Sequence, residues 1–479
     1  MRKKLMSIMT IIFIISLLLT ACAAPTTAPE EPAPAATEAP AEPEEPAAPT
    51  EEPAQPEEPA AEPVKLSLYS LAWIKDNQDM TVELISQFNE EHKGKIEIEY
   101  IQGDWGEVEN YITSGVAGGG GIADIIEGDT GMGLGWYEQG FLTDLTPYIT
   151  DEIRATMPEE YWASRTAGDG KIFLSGTVTG SEIIVFYNPK VLEKAGIEPS
   201  SPDNLWSWEQ LVENAKLLTL DANGKHLGEE GFDAANVVQW GFVPRLDNEK
   251  IWEEGGIFVM QSTGKPMIRK GDDGVWDIFF DDAAIPVLES YLNIVNVGIT
   301  PEKAIGLTGD SQNELFAQGQ AAMILRGYFN ISVLKGLYPD FDFAVMPIPM
   351  SSENKEYYVD NWGQGFGIPV TSEHPAEAAE FIFWIQQAVQ NAKYASSISM
   401  APVNPDALQD PVLLNDPNWD TMRFYRSIEK LVVAEYNTNT SEFVTSVYAP
   451  TMMAVVSGEK TLQQAIEEIK ALSKDILNQ

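Results

Sequence analysis

Few residues in this chain are equipped for covalent chemistry. Cys22 is the only cysteine among 479 residues, so neither an intramolecular disulfide nor a multi-cysteine metal site can form. The three histidines, His92, His226 and His374, sit in "EEHKG", "GKHLG" and "SEHPA", all polar and turn-like. None belongs to a His-Glu-x-x-His pair, and no Gly-x-Ser-x-Gly elbow is present. "GVAGGGGIAD" and "GMGLGW" are glycine-rich, but neither has the Gly-Lys-Ser/Thr ending or the spaced dinucleotide fingerprint, so both read as loops. "DANGKHLGEE" opens like a calcium loop yet lacks the spaced ligands and the closing glutamate, and reads as a hairpin turn. Two carboxylates could cleave a glycosidic bond. With 73 acidic residues, such a pair arises by chance, and a secreted glycosidase stays only as the enzyme alternative. The chain therefore reads as a non-enzyme needing no cofactor and no metal.

The surroundings of Cys22 point elsewhere. Arg2, Lys3 and Lys4 precede the apolar run Ile11–Leu19, the charge-then-grease order of an export signal, and the run is short for a membrane span. Leu-Thr-Ala-Cys at its end resembles the lipobox of bacterial lipoproteins, whose cysteine is lipidated and becomes the first mature residue. That resemblance makes 1–22 a signal peptide and places the mature chain outside the cytoplasm, held to the cell membrane through Cys22, at the cell surface or in a periplasm. A signal cut elsewhere, or an uncleaved anchor, is the alternative. Residues 23–63 then carry 12 of the 31 prolines and 11 glutamates, with no lysine or arginine. Such a tract has too little apolar surface to offset ordering entropy and reads as a disordered tether. A Gly-rich coil of this length would average about 35 Å end to end, and proline and charge extend it.

The body, 64–479, is long enough for two domains with their own cores. Its 62 acidic and 27 basic residues leave a charge of −35, which argues against nucleic acid as a partner. "VKLSLYSLAW" alternates like a strand through Val64, Leu66 and Leu68. "DNQDMTVELISQFNEEHKG" repeats Met80, Leu84, Ile85 and Phe88 at helical spacing, and "KIEIEYI" alternates again. Strand, helix, strand over this length reads as a βαβ unit with parallel strands. A helix over 105–117 and a short buried strand Ala123–Ile126 follow. Further on, strands are expected at Ile172–Leu174, Ile183–Tyr187 and Ala321–Leu325, and within "DFAVMPIPM" and "GQGFGIPV". Ser207 opens a helix with Gln210 as its capping-box partner. "PAEAAEFIFWIQQAVQ" and "TLQQAIEEIKALSKDIL" read as amphipathic helices.

Four stretches taken in order resemble bacterial extracellular solute-binding proteins of family 1, the maltose-binding-like subunits of ABC importers. They are "IFLSGTVTGSEIIVFYNPKVLEKAGI" with "WSWEQLVENAKLLT", "LFAQGQAAMILRGYF", "DFAVMPIPM" and "GQGFGIPVTSEHPAEAAEFIFWI". "GIADIIEGD" fits the family's Pro-Asp-Val strand, with Ala123 where proline is commoner. The resemblance implies a two-lobe, periplasmic-binding-protein-like α/β fold of type II, with hinge-connected lobes around a ligand cleft. Lobe 1 would comprise 64–178 plus 365–410, and lobe 2 179–364 plus 411–479. Crossings are expected near Thr177–Gly180, Asp360–Gly365 and residue 410. It also implies a monomer that captures a mono- or short oligosaccharide and presents it to the transmembrane subunits of an ABC permease. A polyamine or another small solute on the same fold is the alternative.

A pyranose has C–H patches on its faces and hydroxyls on its rim, so sugar clefts combine aromatic rings with Asp, Asn, Gln and Arg. Twelve tryptophans make mere presence uninformative. Trp73 follows the carboxyl end of the first strand, where open α/β sheets place ligands; a core or hinge-packing indole is its bland alternative. Asp129 follows the strand Ala123–Ile126 at a similar mouth, with Glu127 a weaker version of the same expectation. By resemblance, Tyr328 and Phe329 stand where the family carries a sugar-stacking aromatic, and Trp362 and Gln364 lie at the second crossing. Trp240 and Trp252 are candidates for the wall of lobe 2. Where relatives often carry a further stacking Trp, this chain reads "EYNTNTSEFVTSVYAP", in which Tyr436 would substitute.

Overall fold

Val64–Ser70 is a strand because its apolar residues alternate, and Leu66 and Leu68 are buried on one face. It pairs in parallel with Ile96–Gln102, Val64 opposite Ile96 through to Ser70 opposite Gln102. The helix Lys75–Glu91 between them lays Leu84, Ile85 and Phe88 on the sheet. Phe88 packs edge-on against Phe381 at 5.1 Å and Trp384 at 5.4 Å. Burying a ring of that size contributes about 2–3 kcal/mol. The computed structural model describes residues 62–479 apart from 181–182, 351–355, 361, 433–436 and 438. Cys22, the signal segment, the tether as far as residue 61, and Tyr436 lie outside the described residues.

The first sheet runs Ala401–Pro402, Ser175–Thr179, Gly363–Gly367, Ile125–Asp129, Val64–Ser70, Ile96–Gln102. Its last three strands are parallel, and Gly363–Gly367 enters antiparallel between Ile125–Asp129 and Ser175–Thr179. The strand expected at Ile172–Leu174 instead lies over Ser175–Thr179, whose small and polar residues read as a connector. Two features make that segment a buried strand. Backbones approach closely here, because a Cβ on Gly365 would lie 2.4 Å from the Gly176 Cα. Buried amides also satisfy its polar groups: Gln386 Nε2 donates to Ser175 Oγ (2.7 Å) and Gly176 O (2.6 Å), and Asn391 Nδ2 to Thr177 O (2.6 Å). "PAEAAEFIFWIQQAVQ" falls in two helices rather than one, Pro375–Ile385 and Ala388–Ile398, with Gln386 and Gln387 between them.

The second sheet has Ile183–Tyr187 at its centre, antiparallel to Met323–Gly327 on one side and Ala344–Met346 on the other. The segment around 240–243 runs parallel beside the Met323–Gly327 edge, with Trp240 opposite Ala321 and Val243 opposite Ile324. The strands expected at Ala123–Ile126 and Ala321–Leu325 each begin two residues later, at Ile125 and Met323. The capping box of Ser207 and Gln210 is formed.

A short crossing links the two sheets. Thr179 ends a strand of the first sheet and Ile183 begins the centre of the second. At Gly180, φ is +73°, a left-handed turn that glycine makes without strain, and its N–H donates to Trp362 O at 2.8 Å. Tyr357–Asp360, which precedes the Gly363–Gly367 strand, runs parallel to Glu429–Val432. Arg426 clamps this bundle, donating to Thr179 Oγ1 at 2.7 Å and pairing with Glu429.

Candidate ligand-binding cleft

The first sheet's contribution starts where Val64–Ser70 runs out into Leu71, Ala72 and Trp73. The backbone of this loop is held at every step. Leu71 N–H donates to Glu127 Oε2 (2.7 Å), and Ala72 N–H to Ser70 Oγ (3.3 Å). Ala72 C=O accepts from the side-chain amides of Gln78 (3.0 Å) and Gln102 (2.9 Å), and Ser70 C=O from Gly103 N–H (2.7 Å). Trp73 stands on this fixed loop with 47% of its surface exposed.

The ring that faces it comes from the second sheet. Phe329 follows Met323–Gly327, and Gly327 lies opposite Ile183, where the chain arrives from the first sheet. Trp73 and Phe329 meet with ring centroids 5.6 Å apart and planes at 73°, an edge-to-face contact between groups from different sheets. The Arg326 guanidinium lies over the Phe329 ring, 5.4 Å from its centroid.

A polar group gathers beside them. Asp129 caps the helix Thr130–Glu138, accepting from Met132 N–H at 2.8 Å, and the Trp362 indole N–H donates to the same carboxylate. Burial pushes Asp129 above the usual aspartate range, against the bonds from Met132, Gly131 and Trp362. Gln364 sits opposite Asp129 in the ladder and is buried. The structure thus brings Asp129, Trp362 and Gln364 together, and sets Trp73 against Phe329.

The other candidates stand apart from this group. Tyr328 is only 1% exposed; its hydroxyl donates to Asn418 O at 2.9 Å and its ring lies against Trp419, so it is a core residue. Glu127 is buried among three donors, Ser70 Oγ (2.8 Å), Leu71 N–H and Tyr394 OH (2.8 Å), and has no face for a ligand. Trp240 is level with Ala321, at the end of the second sheet remote from Gly327. At about 3.3 Å per residue the strand itself keeps Trp240 well away from Phe329. Trp252 is half-buried one turn into the helix Asn248–Thr263, its ring edge-on to Tyr448 at 4.9 Å.

Sequence reading missed Arg326 and Glu254, a carboxylate on the helix Asn248–Thr263. Arg326 is a charged residue inside the apolar run "AAMILRG", and that interruption was the available signal. It is buried, and a Cβ on Gly309 would lie 2.9 Å from its guanidinium nitrogens. Glu254 is buried too, accepting from Tyr291 OH at 2.7 Å. Burial raises its pKa to about 8, opposed by the Tyr291 bond and the charges of Lys250 and Arg326. Among the described residues no group of three His, Cys, Asp or Glu could hold a metal ion, and no helix is long and apolar enough to cross a membrane.

The chain is 24% identical over 355 residues to an uncharacterized lipoprotein in the oleD 5′ region of Streptomyces antibioticus, covering 73% of each chain. It is 21% identical over 349 residues to the arabinooligosaccharide-binding protein of Bacillus subtilis, covering 69% of this chain and 71% of that one. The maltose/maltodextrin-binding domain MalE of Bdellovibrio bacteriovorus, solved with maltotriose, superposes with a TM-score of 0.65 at 18% identity, over 87% of this chain and all of that one. The fold is accordingly the two-lobe, type II periplasmic-binding-protein-like α/β fold, with hinge-connected lobes and a cleft between them. Residues 74–392 match the sequence pattern of bacterial extracellular solute-binding proteins, and the chain belongs to that family.

Proposed function

We propose that this protein binds a carbohydrate, a mono- or short oligosaccharide, in the interlobe cleft and hands it to the transmembrane subunits of an ABC importer. The observation that carries this reading is the Trp73–Phe329 pair, two rings on different sheets at the mouth where those sheets meet. Opening the cleft would free both faces to cover the C–H patches of a sugar. Asp129, Trp362 and Gln364 would serve its hydroxyls, with Trp252 further along the wall. Contact with both lobes favours the closed state, which couples capture to shape. The sugar-binding relatives support the substrate class.

On this reading the lobes are 64–178 plus 365–410 and 179–364 plus 411–479. Lipidated Cys22 and the tether hold a monomer outside the cytoplasmic membrane, and the lipoprotein relative supports that anchor. The protein binds and does not cleave, so oligosaccharides incubated with it are recovered without new reducing ends. A thermal-shift screen against a sugar library, with spermidine and peptides as controls, tests the substrate class, because a ligand that binds only the folded state raises Tm. A shift with spermidine and none with any sugar would transfer the reading to a polyamine.

A further inference from the structure

We infer that Glu127 is a positioning residue for Trp73, its carboxylate holding the Ser70–Ala72 backbone so that the indole meets ligand in one fixed orientation. This rests on the reading of Trp73 as a ligand contact. Glu127 follows Ile125 and Ile126, both buried and apolar, in a strand that packing alone would continue with another apolar residue. A buried carboxylate is costly unless donors surround it, and here three reach it, two from the end of the first strand and one from a helix. Oε2 accepts from Ser70 Oγ (2.8 Å) and Leu71 N–H (2.7 Å), and Oε1 from Tyr394 OH (2.8 Å) on the helix Ala388–Ile398.

The connection to Trp73 is direct. Ser70 Oγ gives its proton to Glu127 and accepts from Ala72 N–H, so both peptide N–H groups before Trp73 depend on this one carboxylate. Burial pushes the Glu127 carboxyl above the usual glutamate range, against the bonds from Ser70, Tyr394 and Leu71. An exposed indole on a loose loop would be ordered at the moment of binding, at a cost in affinity; on a fixed loop that ordering is already complete.

The test compares the near-ultraviolet circular dichroism of the protein with that of Trp73→Phe, in backgrounds carrying Glu127→Gln, Glu127→Leu or Ser70→Ala. The difference band belongs to Trp73 and reports how rigidly its ring is held. Glu127→Gln presents its carbonyl oxygen to Ser70 and Leu71 and its amide to the Tyr394 hydroxyl, which accepts, so the band is retained. In Glu127→Leu and Ser70→Ala it loses most of its amplitude. A band unchanged in Glu127→Leu overturns the inference, whatever happens to Tm. If Glu127→Leu does not fold, Ser70→Ala decides in the same way. Calorimetry with maltotriose and arabinotriose separates this from the cleft reading. If either sugar binds and Trp73→Phe leaves its affinity unchanged, Trp73 is no ligand contact, while the circular dichroism still decides whether Glu127 holds it.

Discussion

Trp73 and Tyr328 both follow the carboxyl end of a strand, three residues past Ser70 in one half and directly after Gly327 in the other, yet one ring is half exposed and the other buried. The wall from the first sheet is built by hydrogen bonds. Its loop is tied at each peptide before Trp73. The wall from the second sheet is built by packing. Tyr328 is sunk against Trp419, and only Phe329, the next residue, turns outward over Arg326. A ring can therefore be exposed for ligand in two ways, and the difference predicts which substitutions damage the fold and which damage only binding.

The largest expected effect concerns Glu254, inside the second half. Its folded pKa of about 8 lies above the ordinary 4.5, so the folded state holds a proton that the unfolded state releases between those values. The stability from this group is complete below about pH 4.5 and declines as pH rises to about 8, by up to the order of 5 kcal/mol. Urea unfolding at pH 5 and pH 8 is expected to show that decline in the parent and a much flatter profile in Glu254→Gln; equal slopes would contradict the buried carboxyl.

Next comes Tyr328→Ala, which empties a packed site and is expected to cost about 3 kcal/mol of stability. Trp73→Ala removes a half-exposed ring and is expected to cost under about 0.5 kcal/mol. Denaturation of the two variants side by side checks the contrast, and equal losses would erase it. For binding the order reverses. Trp73→Ala and Phe329→Ala are each expected to weaken sugar binding by about 1–2 kcal/mol with the fold intact. Calorimetry measures this, and unchanged affinity in both would remove the cleft assignment.

The smallest effect is at Asp129. Its carboxyl sits above the usual aspartate range, so sugar affinity is expected to fall by about 1 kcal/mol or less as pH drops, beginning above the pH where an exposed aspartate titrates. Asp129→Asn is expected to flatten that dependence, and a titration identical in the two proteins would assign the carboxylate to helix capping alone.

Much of the fold was legible in local pattern. Leu66 and Leu68 announced a strand, Leu84, Ile85 and Phe88 its covering helix, and Ser207 with Gln210 a helix start. Ser175–Thr179 was not legible, because its polar groups are satisfied by Gln386 and Asn391, over two hundred positions away. The site behaved likewise. That Trp73 lies in a loop followed from the end of an alternating run. Nothing near Tyr328 and Phe329 said which of them would turn inward, since that depends on Asn418 and Trp419.

Alternation and helical spacing, written in neighbouring residues, determined which segments became strands and helices and hence the α/β class, because each period buries one face whatever lies opposite. Tertiary structure alone decided partners: Tyr394 reaching Glu127 across 267 positions, Trp362 reaching Asp129, and Phe329 meeting Trp73. Such pairings are set by how distant surfaces fit and by which buried polar groups must find a donor, and no local pattern records either.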